Sequence, residues 1–303
     1  MNKSTPVQNK RYWTIERQHS ATGWLFLLPA VLLIVIFSFW PMVQALLTSM
    51  KRGLPTALQY SDPLWRNYQR MLSDKVFVQS VTNTITYLII QVPIMLVLAI
   101  ILASLLNNKD LKFRGLFRTC IFLPCATGLV AYSMIFRTLF TYDGMVNSVL
   151  VNIGFLKEPV NWLNEPNTAR AVIILGLIWR WTGYNMVFFL SGMQSIEYSI
   201  YEAARIDGAN MLQQLTKITI PLLKPIILVT GIMSTNGTLQ LFDESVNLTN
   251  GGPANMTITM SHYIYNTMFT KNPNFGYAAA MSFVILIMVA ILSAIEMKVG
   301  DKR

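Results

Sequence analysis

Gln194 to Pro225 reads QSIEYSIYEAARIDGANMLQQLTKITIPLLKP, a polar interruption between two hydrophobic runs, and it decides the fold. Its centre is Glu202-Ala203-Ala204-Arg205-Ile206-Asp207-Gly208-Ala209. The pattern predicts a short helix, a turn at Gly208, a second short helix, and a stop at Pro221 and Pro225. Glycine at the turn takes positive φ without a Cβ clash. Ala203 and Ala204 leave a small-residue surface that another protein can approach closely, flanked by the charges of Glu202, Arg205 and Asp207. A segment resting on lipid would instead carry Lys and Arg along its polar face and large apolar groups beneath. The spacing therefore predicts a docking knob on the cytoplasmic face of a membrane protein.

The 303 residues are 53% hydrophobic and 13% charged, against about 25% charged in soluble domains. A bilayer core needs about 20 mainly apolar residues per helix. Six stretches qualify: Trp24–Leu47, Val81–Leu106, Leu116–Phe140, Ala171–Met193, Leu222–Val246 and Tyr277–Ile295. The first follows a polar leader and lacks a small-x-small cleavage site, so it reads as an uncleaved anchor. Pro29, Pro41, Pro93 and Pro124 lie within spans and predict kinked helices in a bundle. The chain thus divides into a cytoplasmic leader, 1–23, a six-span domain, 24–297, with its loop at 194–225, and a short tail, 298–303.

Lys and Arg set the orientation. One side collects Lys3, Lys10, Arg11, Arg17, Lys109, Lys112, Arg114, Arg118, Arg205, Lys217, Lys224, Lys298, Lys302 and Arg303. The other has Lys51, Arg52, Arg66, Arg70, Lys75, Lys157 and Lys271. The positive-inside rule puts both termini and the 194–225 loop in the cytoplasm. In a chain this apolar, the net charge of +10 reflects lipid headgroups and orientation. The basic residues sit at helix ends and are not interleaved with aromatics, so nucleic acid is not an expected partner. Cys120 and Cys125 read as small, buried, reduced hydrophobes, and a metal site would need more ligands than His19 and His262 supply.

The central loop continues into Ile218-Thr219-Ile220-Pro221-Leu222-Leu223-Lys224-Pro225. Upstream stands Trp179-Arg180-Trp181-Thr182-Gly183-Tyr184-Asn185. Downstream, Phe242-Asp243-Glu244 leads to Asn250-Gly251-Gly252-Pro253. From Gly23 to Lys298 the chain resembles bacterial ABC importer permeases of the carbohydrate branch, whose EAA loop has this form. The resemblance implies an all-α, six-helix transmembrane bundle of the type I importer permease kind with a cytoplasmic EAA coupling helix. It implies a second, similar permease, two copies of a cytoplasmic ATPase, an extracytoplasmic solute-binding protein, a sugar substrate and the bacterial inner membrane. Glu202, Ala203, Ala204, Arg205, Asp207 and Gly208 are then the ATPase-coupling residues.

Polar groups inside a span are costly and point to function. The end of the fifth span is rich in them: Ser234, Asn236, Thr238 and Gln240, followed by Phe242, Asp243 and Glu244. They suit a wet cavity that hydrogen-bonds sugar hydroxyls, with Phe242 stacking on an apolar sugar face. The competing reading is packing glue between helices. Gly237 allows a kink or an unwound turn. In the fourth span Trp181, Tyr184 and Asn185 set aromatics beside amides, as a sugar site needs, and by resemblance these two helices hold the sugar. Arg180 with Asp243 or Glu244 is a candidate intramembrane ion pair, as gate or clamp. No G-x-x-x-x-G-K-[ST], H-E-x-x-H or G-x-S-x-G occurs. The chain is expected to be no enzyme and to hold no cofactor, with ATP and Mg on the partner ATPase. The alternative function is an ion-coupled secondary transporter using Asp243 or Glu244 as its proton or sodium site.

Overall fold

A computed structural model describes residues 15–53, 56–108, 111–270 and 273–300, with side chains from residue 22 onward. The basic residues Lys3, Lys10, Arg11, Lys109, Lys271, Lys302 and Arg303, most of the leader and the last residues of the tail lie outside them. The chain divides after Thr48 into two compact units.

The first unit is built on α1 (Ile15–Ile34), a π-turn (Val35–Phe39) and α2 (Trp40–Ser49). Thr22–Ser49 is a continuous apolar run of 28 residues, about 42 Å long at 1.5 Å per residue. It encloses the expected Trp24–Leu47. The π-turn has a cause in the sequence. Pro41 has no N–H, and its ring would press on the carbonyl four residues back. The wider turn, closed by Trp40 N–H donating to Val35 O, precedes it.

The second unit opens with a two-stranded antiparallel ribbon, β1 (Lys51–Arg52) and β2 (Gln59–Tyr60), and α3 (Arg66–Ser73). Next come α4 (Lys75–Asn107), α5 (Arg114–Ala126), α6 (Leu129–Leu139), α7 (Met145–Asn152) and α8 (Pro166–Gln194). The EAA region follows as α9 (Tyr198–Ile206), α10 (Met211–Gln214), a π-turn (Leu215–Thr219) and α11 (Ile220–Leu239). A third π-turn (Ser245–Thr249), α12 (Met260–Phe269) and α13 (Phe275–Gly300) complete it. Asp74 starts α4 by accepting from Val76 N and Phe77 N, which satisfies two of the donors a helix start leaves open.

Three expectations need correction. The third span is broken more sharply than the kink that Pro124 predicts: α5 and α6 meet at 98° across Thr127-Gly128. Pro124 near the end of α5 and Gly128 before α6 interrupt the backbone ladder there. The fifth span is Met211–Leu239, 29 residues, not Leu222–Val246, and Pro221 and Pro225 do not stop it. Met211, Leu212, Gln213, Gln214 and Lys217 are good helix formers. The π-turn before Pro221, closed by Ile220 N–H donating to Leu215 O, accommodates the ring as at Pro41. The helix ends at Gln240, not at Gly237, because the chain beyond is held by loop contacts: Thr259 Oγ1 donates to Leu241 O at 2.6 Å, and Ser245 Oγ to Thr257 O at 2.9 Å. Third, Cys120 and Cys125 are free thiols but not buried: Cys120 is exposed and Cys125 half-buried.

The core centres on α4 against α8. Ala99 and Ala103 face Met186, Phe189, Leu190 and Met193, all buried. Small residues let the two backbones approach, the packing that dispersion favours in lipid. At the far end Arg170 Nη2 donates to Asn83 Oδ1 at 2.9 Å. Asn83 lies 23 residues before Leu106, and Arg170 lies 23 before Met193. The helices therefore run parallel. Gly183 lets α5 lie against α8, because a Cβ there would sit 2.0 Å from Ile121 O.

Candidate functional site

Two places carry the candidate residues. The first is a cavity of about 300 Å³ among α4, α8, α11 and the segment after α11. Trp181, Tyr184 and Asn185 enter from α8, one helical turn apart. Ser234 and Thr238 enter from α11 at i, i+4 spacing, and Gln240 and Phe242 follow where the helix has unwound. Asp243 and Glu244 complete that wall. Asn236 is not part of the lining; its Oδ1 is buried without a hydrogen-bond partner.

The cavity's polar groups form a chain. Thr238 Oγ1 donates to Gln91 Oε1 at 3.1 Å, Gln91 Nε2 to Met95 Sδ at 3.1 Å, and Asn185 Nδ2 to the same sulfur at 3.5 Å. Aromatic edges pack beside them: Trp181 meets Tyr184 edge-on at 5.8 Å, and Phe242 leans on Tyr265 at 5.2 Å. Hydroxyls, amides and ring faces in one cavity match a polyhydroxylated, uncharged ligand. Gln91, Met95, Leu129, Leu177 and Met233 also line it and escaped the sequence reading. Gln91 was the findable one, an amide in mid-span subject to the same cost as those of the fifth span.

Arg180 is 6% exposed and Glu244 3%, yet among the described residues no ion pair or hydrogen bond joins Arg180 to Asp243 or Glu244. Nε and Nη1 of Arg180 have no partner. Its guanidinium lies over the rings of Tyr132 at 5.3 Å and Trp181 at 5.4 Å, a cation–π arrangement in place of the expected salt bridge.

The second place is the EAA loop. α9 ends in a Schellman motif: Gly208 N–H donates to Arg205 O and Ala209 N–H to Ala204 O, with Gly208 at φ +80°. That is the left-handed turn the sequence demanded. Asn210 and Gln213 form a capping box that starts α10. Tyr201 Oη meets Thr219 Oγ1 at 2.9 Å, and Gln214 Nε2 donates to Ala209 O at 2.8 Å, so α9 is braced against the foot of the long helix. Glu202, Ala203, Arg205, Asp207 and Gly208 are exposed and Ala204 is half-buried. Around the turn Ile206, Met211 and Leu212 are 87%, 70% and 68% exposed, apolar side chains in an otherwise polar loop that the sequence reading passed over.

Residues 72–300 match the family described as binding-protein-dependent transport system inner membrane component. The chain belongs to this family. It is accordingly a multi-pass membrane permease of a transport system and not an enzyme. The lactose transport system permease protein of Rhizobium radiobacter is 48% identical over 292 residues, covering 96% of this chain and 97% of that one. An arabinooligosaccharides transport system permease of Bacillus subtilis is 34% identical over 92% of this chain and 88% of its own length. The trehalose/maltose transport system permease of Thermococcus litoralis is 30% identical over 95% and 97%. The fold matches a chain of a bacterial ABC transporter that imports the acidic polysaccharide alginate, with TM-score 0.79 at 22% identity, covering 94% of this permease and 96% of that chain.

Proposed function

We propose that this permease is the transmembrane subunit of an ATP-driven sugar importer in the bacterial inner membrane, forming the translocation path by alternating access. Its partners are a second, similar permease, two copies of a cytoplasmic ATPase that carry ATP and Mg, and an extracytoplasmic solute-binding protein. The cargo is a neutral mono- or oligosaccharide. The observation that carries the reading is one continuous helix. Met211–Leu239 begins three residues after Gly208 of the EAA turn and ends on the walls of the cavity. It is about 43 Å long at 1.5 Å per residue. ATP closes the ATPase dimer, the dimer moves the loop around Gly208, and the rod carries that displacement to Ser234, Thr238 and Gln240. The bundle then opens outward to receive sugar, and hydrolysis resets it. To move the population from 1:99 to 99:1, ATP must favour one state by about 5.5 kcal/mol.

The cavity supports a neutral cargo, since hydroxyls, amides and aromatic rings stand on its wall and no Lys or Arg among the described residues lines it. The sugars in the names of these relatives, lactose, arabinooligosaccharides and trehalose or maltose, point the same way. The test is co-purification after mild detergent extraction, with ATPase activity measured with and without binding protein loaded with candidate sugars. An ATPase and a second permease should come down with the chain, and one loaded sugar should stimulate hydrolysis. Uptake that survives loss of the ATPase but collapses with the ion gradient would overturn the reading.

A further inference from the structure

The segment 48–80 carries Lys51, Arg52, Arg66, Arg70 and Lys75 against only Asp62 and Asp74. Orientation by charge disfavours such an excess on the outer side, so these cations serve another purpose. Three of them converge. Exposed Arg52, Arg66 and Arg70 line a surface cleft of about 630 Å³ whose walls hold no carboxylate and no apolar side chain. None of the three is in an ion pair among the described residues.

The frame that holds them is rigid. Asn67, buried between α3 and the ribbon, donates to Ser49 O at 2.7 Å and Lys51 O at 2.9 Å. Asp74, the nearest acid in sequence to Arg70, is already occupied. It accepts from Tyr263 Oη and Tyr277 Oη at 2.7 Å each, besides capping α4. Arg70 rests on the Tyr277 ring at 4.2 Å. The fold thus brings three guanidinium forks to one cleft, with no carboxylate paired to them among the described residues.

We infer that this cleft docks an acidic surface of a protein, the sugar-loaded binding protein of the proposed importer; the inference rests on that reading. A lipid headgroup site would need an apolar slot for acyl chains beside it, and a neutral sugar would need a ring to stack on. The walls offer neither. Three forks spread over the ribbon and α3 suit carboxylates spread over a protein face. Complementary charge also speeds the encounter of a dilute partner with its permease.

The test uses the assembled importer in nanodiscs of zwitterionic lipid, titrated with sugar-loaded binding protein, ATPase rate being read at low and high salt. Arg52→Glu with Arg66→Glu is the variant of choice, because neither side chain supports the core. The half-stimulating concentration should rise about tenfold or more at low salt, the maximal rate should hold, and the salt dependence should flatten. If the charge-reversed complex does not assemble, Arg52→Gln with Arg66→Gln should shift the same way by a smaller factor. An unchanged titration in a complex that the wild-type partner stimulates overturns the docking site alone. A shift that appears only when anionic lipid is added makes the cleft a lipid site and overturns it too. A wild-type complex that no sugar-loaded binding protein stimulates overturns the functional reading together with the inference.

Discussion

At the residue scale the cavity shows what an amide costs in a membrane and what it does there. Gln91 is 2% exposed, at the middle of a 33-residue apolar helix. Its carbonyl takes Thr238 Oγ1 and its amide reaches Met95 Sδ. A thioether is a weak acceptor, so that amide is the group on this wall with most to gain from a sugar hydroxyl. Gln91→Leu should lower sugar uptake about tenfold, the cost of one lost hydrogen bond to cargo, while stimulation of hydrolysis by loaded binding protein persists. Uptake at the wild-type rate would make Gln91 packing only. Trp181, Tyr184, Asn185, Ser234, Thr238, Gln240 and Phe242 were legible as a group because polar and aromatic residues stood out against apolar runs. Gln91 stood alone in its span, and Leu129, Leu177 and Met233 have the same chemistry as any lipid-facing side chain, so only the fold shows them lining the cavity. The salt bridge expected of Arg180 was legible in cost but not in solution, since sequence does not show that Tyr132 and Trp181 lie within reach of the guanidinium.

At the element scale the loop and the helices it joins were legible unequally. The turn at Gly208 was plain, because φ +80° needs a residue without a Cβ. The reach of the next helix was not, because a proline normally ends a helix and the π-turn that accommodates Pro221 depends on backbone geometry. Gly208→Pro tests the turn. Proline holds φ near −65° and has no N–H, so both the left-handed turn and the Gly208 N–H to Arg205 O bond are lost. The complex should still assemble, because the bundle core is untouched, but ATP hydrolysis should continue with little sugar moved. Normal transport would remove the loop from the coupling path. A different element makes a prediction about acid. His262 of α12 is 2% exposed, with Nδ1 on Ser245 Oγ at 2.9 Å. Burial pushes its pKa below the usual 6.5. The folded ring stays neutral where the unfolded one gains a proton, so stability falls as pH drops below about 6.5, no more steeply than about 1.4 kcal/mol per unit. Thermal unfolding at pH 7.5 and 5.5 should show this drop in the wild type and less of it in His262→Gln. Equal drops would assign the acid sensitivity to other groups.

For the whole molecule, the bent pair α5–α6 decides how many times the chain crosses the membrane, and sequence periodicity had no means of seeing the 98° break. The packing of its neighbours supplies the count. α4 and α8 run parallel, Asn83 beside Arg170 at one end and the Leu106–Met193 cluster at the other. The chain must therefore climb back between Asn107 and Pro166. α5 and α6 make that climb along α8, Ile121 meeting Gly183 and then Tyr132 meeting Gly176. The bent pair is one traverse rather than a dip. α13 lies antiparallel to α11, with Gly300 beside Leu228 and Ile285 near Leu239, which brings the end of α13 to the side of the EAA loop. Within the second unit α4, the bent pair, α8, α11 and α13 make five traverses, which leave the EAA loop and the end of α13 on one side, and the Lys and Arg bias predicts that side to be the cytoplasm. Reporter fusions or cysteine labelling in intact cells should find the N-terminus, Gly208 and the C-terminus inside, and Gly154, between α7 and α8, outside. If the bent pair merely dipped and returned, Gly154 would label from the inside with the C-terminal end of α4. The parallel packing of α4 and α8 would then place two helix starts on opposite faces of the membrane, which their contacts forbid.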